Sequence, residues 1–176
     1  MSKKALILLG SPRKGGNSDL LAAAFCRGIE TAGWKWEQFR CEKIAPCLAC
    51  DACRRNGGTC IQKDAMQTLY PKLEQADLLV FAGPVYYYGI SAQLKCAIDR
   101  FYSMNESIQK KRYVVLMTAG DEGEAVFAPS LANFRAMADY LGWQEEGTVL
   151  AGGAYEKGSL APSFEDAAAE LGARLV

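Results

Sequence analysis

The stretch Ala5-Leu6-Ile7-Leu8-Leu9-Gly10-Ser11-Pro12-Arg13-Lys14-Gly15-Gly16-Asn17-Ser18-Asp19 decides the fold. Its five leading apolar residues read as a buried parallel strand. Residues Ser18 to Thr31 read as a helix with Leu21, Phe25, Gly28 and Ile29 on one face. A loop between such a strand and a helix start is where α/β proteins hold phosphate. Gly10, Gly15 and Gly16 let the backbone turn tightly and bring N–H groups close to an anion. Ser11, Asn17 and Ser18 add short hydrogen-bonding groups, Arg13 and Lys14 add charge, and the helix N-terminus adds its dipole. Two familiar templates are absent. A Walker A loop ends in Gly-Lys-Ser/Thr, whereas Gly16-Asn17-Ser18 stands here, and proline at position 12 removes the fingerprint Gly-x-Gly-x-x-Gly. What remains suits one terminal phosphomonoester; the alternative is an ordinary solvated turn.

Outward from this loop, strand-like and helix-like segments alternate. Trp34 to Phe39 alternates like an edge strand. Met66, Leu69, Tyr70 and Leu73 fall at helical spacing around Pro71. Leu78 to Phe81 is a third strand. Ser91 stands where it can cap a helix with Leu94, Ala97, Ile98 and Phe101 inward. Tyr113 to Met117 is a fourth strand, and Phe127, Leu131, Phe134, Ala138 and Leu141 form the next helix face. Trp143 to Leu150 is a fifth strand, and Ser163 stands as the cap of a last helix with Phe164, Ala168, Leu171 and Leu175 inward. Five strands alternating with helices predict a parallel sheet covered on both faces, a three-layer α/β sandwich. With a phosphate loop after strand one, the flavodoxin-like order 2-1-3-4-5 fits. No repeat or linker divides residues 1–176, so a single domain is expected.

Composition narrows the function. Half of the 176 residues are hydrophobic and 23% are charged, as in a globular domain with a sizeable core. A formal net charge of zero offers no field to recruit nucleic acid or an anionic membrane. No apolar run reaches the ~18 residues of a membrane-spanning helix. Met1-Ser2-Lys3-Lys4 leads into an apolar run too short for a signal peptide, with Gly10-Ser11-Pro12-Arg13 where a cleavage site would stand. A cytoplasmic protein is expected. Histidine is absent, which excludes Ser-His-Asp and Cys-His catalysis and histidine-ligated zinc. Seven cysteines, an odd number, argue against a complete disulfide framework.

Ligands of such sheets bind outside the carboxyl ends of the strands. After strand three comes Ala82-Gly83-Pro84-Val85-Tyr86-Tyr87-Tyr88-Gly89-Ile90, a glycine-shaped loop against which a flat heteroaromatic ring can lie. A plain aromatic surface loop or a subunit contact are its alternatives. After strand four comes Thr118-Ala119-Gly120-Asp121-Glu122-Gly123 at the same edge.

Gly-Ser-Pro-Arg-x-Gly-Gly-Asn-Ser at 10–18, Gly-Pro-Val-Tyr-Tyr-Tyr-Gly at 83–89 and Gln93-Leu94-Lys95-x-x-Ile98-Asp99-Arg100 resemble the NADPH-dependent FMN reductase family of flavodoxin-like proteins. The resemblance runs over about residues 4–155. It implies a flavodoxin-like fold that binds FMN and takes hydride from NAD(P)H. It places Ser11, Arg13, Asn17 and Ser18 on the phosphate. It places Pro84, Val85, Tyr86, Tyr87 and Gly89 on the isoalloxazine, with Thr118, Ala119 and Gly120 on the other side. It further implies a homodimer or homotetramer and a small-molecule or protein electron acceptor. No catalytic acid or base is assigned. Lys95, Asp99 and Arg100 read as members of structural ion pairs.

A second motif is Cys47-x2-Cys50-x2-Cys53-x6-Cys60. Zinc sites usually use two separated Cys-x2-Cys knuckles. Three cysteines at consecutive three-residue spacing are instead how a short loop holds three corners of an iron–sulfur cube. Cys60 supplies the fourth ligand in that reading, and Gly57-Gly58 free the return loop. The run resembles the compact motif of the iron–sulfur flavoproteins. A [4Fe–4S] cluster, zinc, and structural or redox-paired thiols without metal all stay open. Asp64-Ala65 stands where the family has an acidic pair before the helix. Cys26, Cys41 and Cys96 read as inert core thiols. The leading functional expectation is an FMN-dependent oxidoreductase; the alternative is an iron–sulfur flavoprotein that carries electrons. A nucleotide-binding or phosphotransfer module is a third reading, disfavoured by the missing Walker lysine.

Overall fold

Strands buried on both faces carry continuous apolar runs, and the three inner ones do so here. Ala5–Leu9, Leu78–Ala82 and Tyr113–Met117 are buried throughout. The computed structural model describes residues 3–176. In chain order these form β1 (Lys4–Leu9), α1 (Asn17–Thr31), β2 (Lys35–Arg40), α2 (Ala52–Arg55), α3 (Met66–Gln75), β3 (Leu78–Tyr86) and β4 (Gly89–Ile90). There follow α4 (Ala92–Asp99), β5 (Arg112–Thr118), α5 (Ala128–Leu141), β6 (Gln144–Ala151) and α6 (Pro162–Ala173). The long strands are parallel in the order β2-β1-β3-β5-β6, the order expected for five strands, with β4 paired antiparallel to β3.

Alternation along each strand divides the core in two. Leu6, Leu8, Leu79, Phe81, Val115 and Met117 face α3, α4 and α5, where they meet Leu69, Leu94 and Phe134. Ile7, Leu9, Leu78, Val80, Val114 and Leu116 face α1 and α6, where they meet Phe25, Ile29 and Leu171. The two helices of that second layer approach closely at glycines. A Cβ added to Gly28 would lie 1.9 Å from the Ala169 carbonyl oxygen, and one on Gly172 would lie 2.5 Å from that of Phe25.

Three local expectations need correction. Strand three does not stop at Phe81 but runs to Tyr86, so Gly83, Pro84 and Val85 are strand residues. At Pro84 it pairs only with β5, so the missing N–H disturbs no second ladder. Tyr86 and Gly89 then close a hairpin whose tip residues, Tyr87 and Tyr88, have φ of 47° and 62°. Ser91 occupies the cap position of α4, but its hydroxyl donates across the sheet to the Gly10 carbonyl at 2.8 Å. Ser163 is not a cap: α6 begins at Pro162, preceded by Ala161, because proline suits a first helical turn. No helix among the described residues is long and apolar enough to cross a membrane.

Candidate functional site

Loops leaving the carboxyl ends of β1, β3 and β5 enclose a cavity of about 410 Å³, within the usual range of small-molecule sites. Ser11, Arg13, Asn17 and Ser18 line it from the first loop and the start of α1. Pro84, Val85 and Tyr86 line it from the end of β3, and Thr118, Ala119 and Gly120 from the end of β5 and the residues after it. Tyr87 and Gly89 are not among its lining residues; Tyr87 stands fully exposed at the hairpin tip.

The phosphate end is built from backbone. Gly16 precedes the 15-residue α1 without any side-chain cap, so the first N–H groups of that helix are left for a ligand. Gly15 adopts φ 66°, and a Cβ on Gly16 would press to 3.0 Å from the Arg13 carbonyl oxygen. An uncapped helix start beside Arg13 and the buried Ser11 fits a phosphate monoester. Ser18 Oγ and Thr118 Oγ1 share a hydrogen bond of 2.8 Å that joins the first and third loops.

The Asn17 side chain, besides lining the cavity, has a bracing role that the sequence did not reveal. Its Nδ2 donates to the carbonyls of Ala154 at 2.9 Å and Glu156 at 2.7 Å, and its Oδ1 accepts from Gly158 N at 2.9 Å. The amide therefore ties a fourth loop, after β6, to the helix start. Asp121 and this fourth loop add Ala154, Tyr155 and Lys157 to the cavity wall. Sequence reading gave them no role. The available signal was Gly152-Gly153, where a Cβ on Gly152 would lie 2.9 Å from the Asp121 carbonyl oxygen. Two further residues missed in the sequence brace the loop from behind. Arg40 donates to the Ser11 carbonyl at 2.9 Å and to Asp19 Oδ2 at 2.6 Å, and Asp19 Oδ2 also accepts from Gly15 N at 2.7 Å.

Cys47, Cys50, Cys53 and Cys60 line a single cavity of about 40 Å³. Ala49 and Asp51, on either side of Cys50, have φ of 50° and 51°. Left-handed non-glycine residues cost energy and persist where surroundings hold them. Such turns aim backbone N–H groups into an anion-binding concavity, as at many iron–sulfur sites. All four thiols are free. Among the described residues, no set of three or more His, Cys, Asp or Glu side chains is gathered closely enough to hold a metal ion.

Arg100 lies beneath this loop. It pairs with Asp64, whose carboxylate also accepts from Ala45 N at 2.9 Å and Met66 N at 3.0 Å. Burial pushes the Asp64 carboxyl up, but these N–H groups and the guanidinium outweigh it and hold the pKa below the ordinary value. Burial likewise pushes the Cys60 thiol up; the Gln62 N–H, Tyr70 and Arg100 reverse this and lower it. Cys26 and Cys41 contrast with it, since burial drives them to about 11 and about 12, as inert thiols. Asp99 pairs with Lys95, not with its neighbour Arg100.

Residues 3–145 match the NADPH-dependent FMN reductase family. An iron–sulfur flavoprotein of Archaeoglobus fulgidus is 38% identical over 99 residues, covering 55% of this chain and 44% of that protein. An iron–sulfur flavoprotein of Methanosarcina thermophila is 38% identical over 93 residues, covering 52% and 48%. The matched stretch thus spans about half the length of these relatives. Over 100% of both chains, an NAD(P)H:quinone oxidoreductase from Methanothermobacter marburgensis superposes with a TM-score of 0.76 at 19% identity, a likeness of fold. The family match runs through all but the last strand and helix, and the chain belongs to the NADPH-dependent FMN reductase family.

Proposed function

We propose that this chain binds FMN in the sheet-edge cavity and acts as a cytoplasmic NAD(P)H-dependent flavin oxidoreductase. In this reading its electrons leave through a [4Fe–4S] cluster held by Cys47, Cys50, Cys53 and Cys60. The observation that carries the flavin reading is the uncapped start of α1, opening beside Arg13 and Ser11 onto that cavity. FMN, when bound, accepts a hydride from a nicotinamide and releases the electrons onward. The work of the chain is binding and positioning. The α1 N–H groups and Arg13 hold the phosphate, and Pro84, Val85 and Tyr86 wall one side of the ring site. Thr118, Ala119 and Gly120 wall the other, and the Asn17 brace ties the fourth loop to the helix start. Two observations support the cluster: the shared cavity of the four cysteines, and relatives named iron–sulfur flavoproteins at 38% identity.

Titration of apoprotein with FMN and with riboflavin tests the first part. Charge-assisted phosphate contacts should make FMN bind at least about a hundredfold more tightly; equal affinities would sink the assignment. Arg13→Ala combined with Ser11→Ala should release FMN. Iron and acid-labile sulfide in protein purified without oxygen test the second part, with about four of each per chain expected. Iron near zero with flavin present leaves a plain FMN reductase with a cysteine-rich loop.

A further inference from the structure

Arg100 follows α4 directly and is only 1% exposed. Its Nη1 takes Asp64 and the Ala45 carbonyl, while its Nη2 lies 3.5 Å from the sulfur of Cys60. Its Nε is buried without a partner, and so is the hydroxyl of Tyr70, which faces Cys60, Ser103 and Arg100. Pairing with Asp64 accounts for one edge of the guanidinium. It does not account for a second nitrogen on a sulfur, or for two donors left unpaired beside it. Buried donors without partners are costly. Tyr70 and Arg100 Nη2 face one of the four cysteines, and no other side chain among the described residues donates to a sulfur of that set.

We propose that Arg100 and Tyr70 tune the iron–sulfur cluster through Cys60, by donating hydrogen bonds to its ligand sulfur and raising the reduction potential. This rests on the cluster reading above. Reduction adds one electron, and so one negative charge, to the cluster and its thiolates. A cation and hydrogen bonds at a ligand sulfur stabilise that form more than the oxidised one. Arginine keeps its charge at every working pH, so the bias is permanent. Asp64 fixes the geometry: by taking Nη1 it leaves Nη2 for the cysteine. Arg100 and Tyr70 are positioning residues, acting on the cluster through Cys60. They make the cluster an easier destination for electrons from reduced flavin.

The test uses anaerobically purified holoprotein. Iron is counted first, and the cluster is then titrated with dithionite against a set of redox mediators and followed by absorbance. Arg100→Gln should lower the reduced-to-oxidised ratio at a fixed potential about tenfold, a shift of about 59 mV for one electron. Arg100→Lys, which keeps the charge, should recover part of that shift. Tyr70→Phe should lower the potential less, with iron content and FMN affinity unchanged. Full iron with an unmoved cluster potential in Tyr70→Phe and Arg100→Gln overturns the proposal. Should Arg100→Gln lose iron or fail to fold, Tyr70→Phe decides alone. Iron absent from the wild-type protein overturns the cluster reading and this one together, and that outcome is seen before any variant is made.

Discussion

Arg40 at the end of β2 and Asp19 in the first turn of α1 meet at 2.6 Å behind the phosphate loop. The pair does not line the cavity, yet it grips the loop at two points. Arg40 holds the Ser11 carbonyl, and Asp19 holds the Gly15 N–H. Both side chains are mostly shielded, at 21% and 15% exposure, so the pair is less screened than a surface bridge. Its effect is to fix the backbone that presents N–H groups to an anion.

Removing that brace should weaken phosphate recognition. Arg40→Ala should lower FMN affinity about tenfold, the equivalent of one charge-assisted hydrogen bond, and change riboflavin affinity far less. Fluorescence titration of apoprotein with both flavins checks this. A matched loss for both would mean that Arg40 supports the whole site and not its phosphate end.

Acid should uncouple Asp64 from Arg100. The folded-state pKa of Asp64 lies below its unfolded value of about 3.9. The pair's contribution is therefore complete above that value and is lost as pH falls through the lower, folded pKa. Asp64→Asn leaves Arg100 buried without its counter-charge and should destabilise by about 3 kcal/mol at pH 7. Denaturant unfolding should show the gap to wild type beginning to shrink below about pH 4, where the unfolded chain takes up the proton, and closing only as pH falls through the lower, folded pKa. A gap that stays constant down to pH 2 would remove Asp64 as the charge partner that matters.

Much of this architecture was legible because its determinants are local. The runs Ala5–Leu9 and Leu78–Phe81 read as inner strands because both faces are buried, and the loop at 10–18 read as a phosphate cradle from its own residues. The hairpin was hidden for a physical reason. A tight hairpin turn with left-handed centres announces itself through Asn-Gly or Asp-Gly, and Tyr87-Tyr88 carries no such signal. Arg40 was invisible because its place depends on β2 lying beside β1 in register, with Arg40 opposite Leu9. Arg100 carries no sequence signal for its partner, which lies 36 residues away. Adjacent residues at a helix end point to different sides, so Asp99 reaches Lys95 in solvent while Arg100 turns inward to Asp64.

The close crossing of α1 and α6 should tolerate no side chain. A methyl at Gly28 would collide with backbone atoms of Ala169, which cannot rotate away. Gly28→Ala should cost at least about 1–3 kcal/mol, as overpacking does, or upward of ~2 °C in melting temperature. The cavity proposed for FMN lies at the sheet edge and not at this crossing, so FMN affinity of the folded variant should be unchanged. An unaltered melting curve would show that the two helices separate freely.

Assembly is the last expectation, and it turns on the hairpin. Tyr86, Tyr87 and Tyr88 are 43%, 101% and 58% exposed beside the cavity mouth, and Leu48 and Ile61 stand exposed on the cysteine loop. Aromatic surface held out on strained backbone is costly to leave in water, and tyrosine suits an interface because its ring can be buried while its hydroxyl stays bonded. The protein should be at least a homodimer at micromolar concentration, with this hairpin in the contact. Light scattering gives the mass directly. Tyr87→Asp with Tyr88→Asp should shift it to the monomer without unfolding the sheet, since neither ring is part of the core. A wild-type monomer would end the idea. A dimer indifferent to both substitutions would move the interface elsewhere on the molecule.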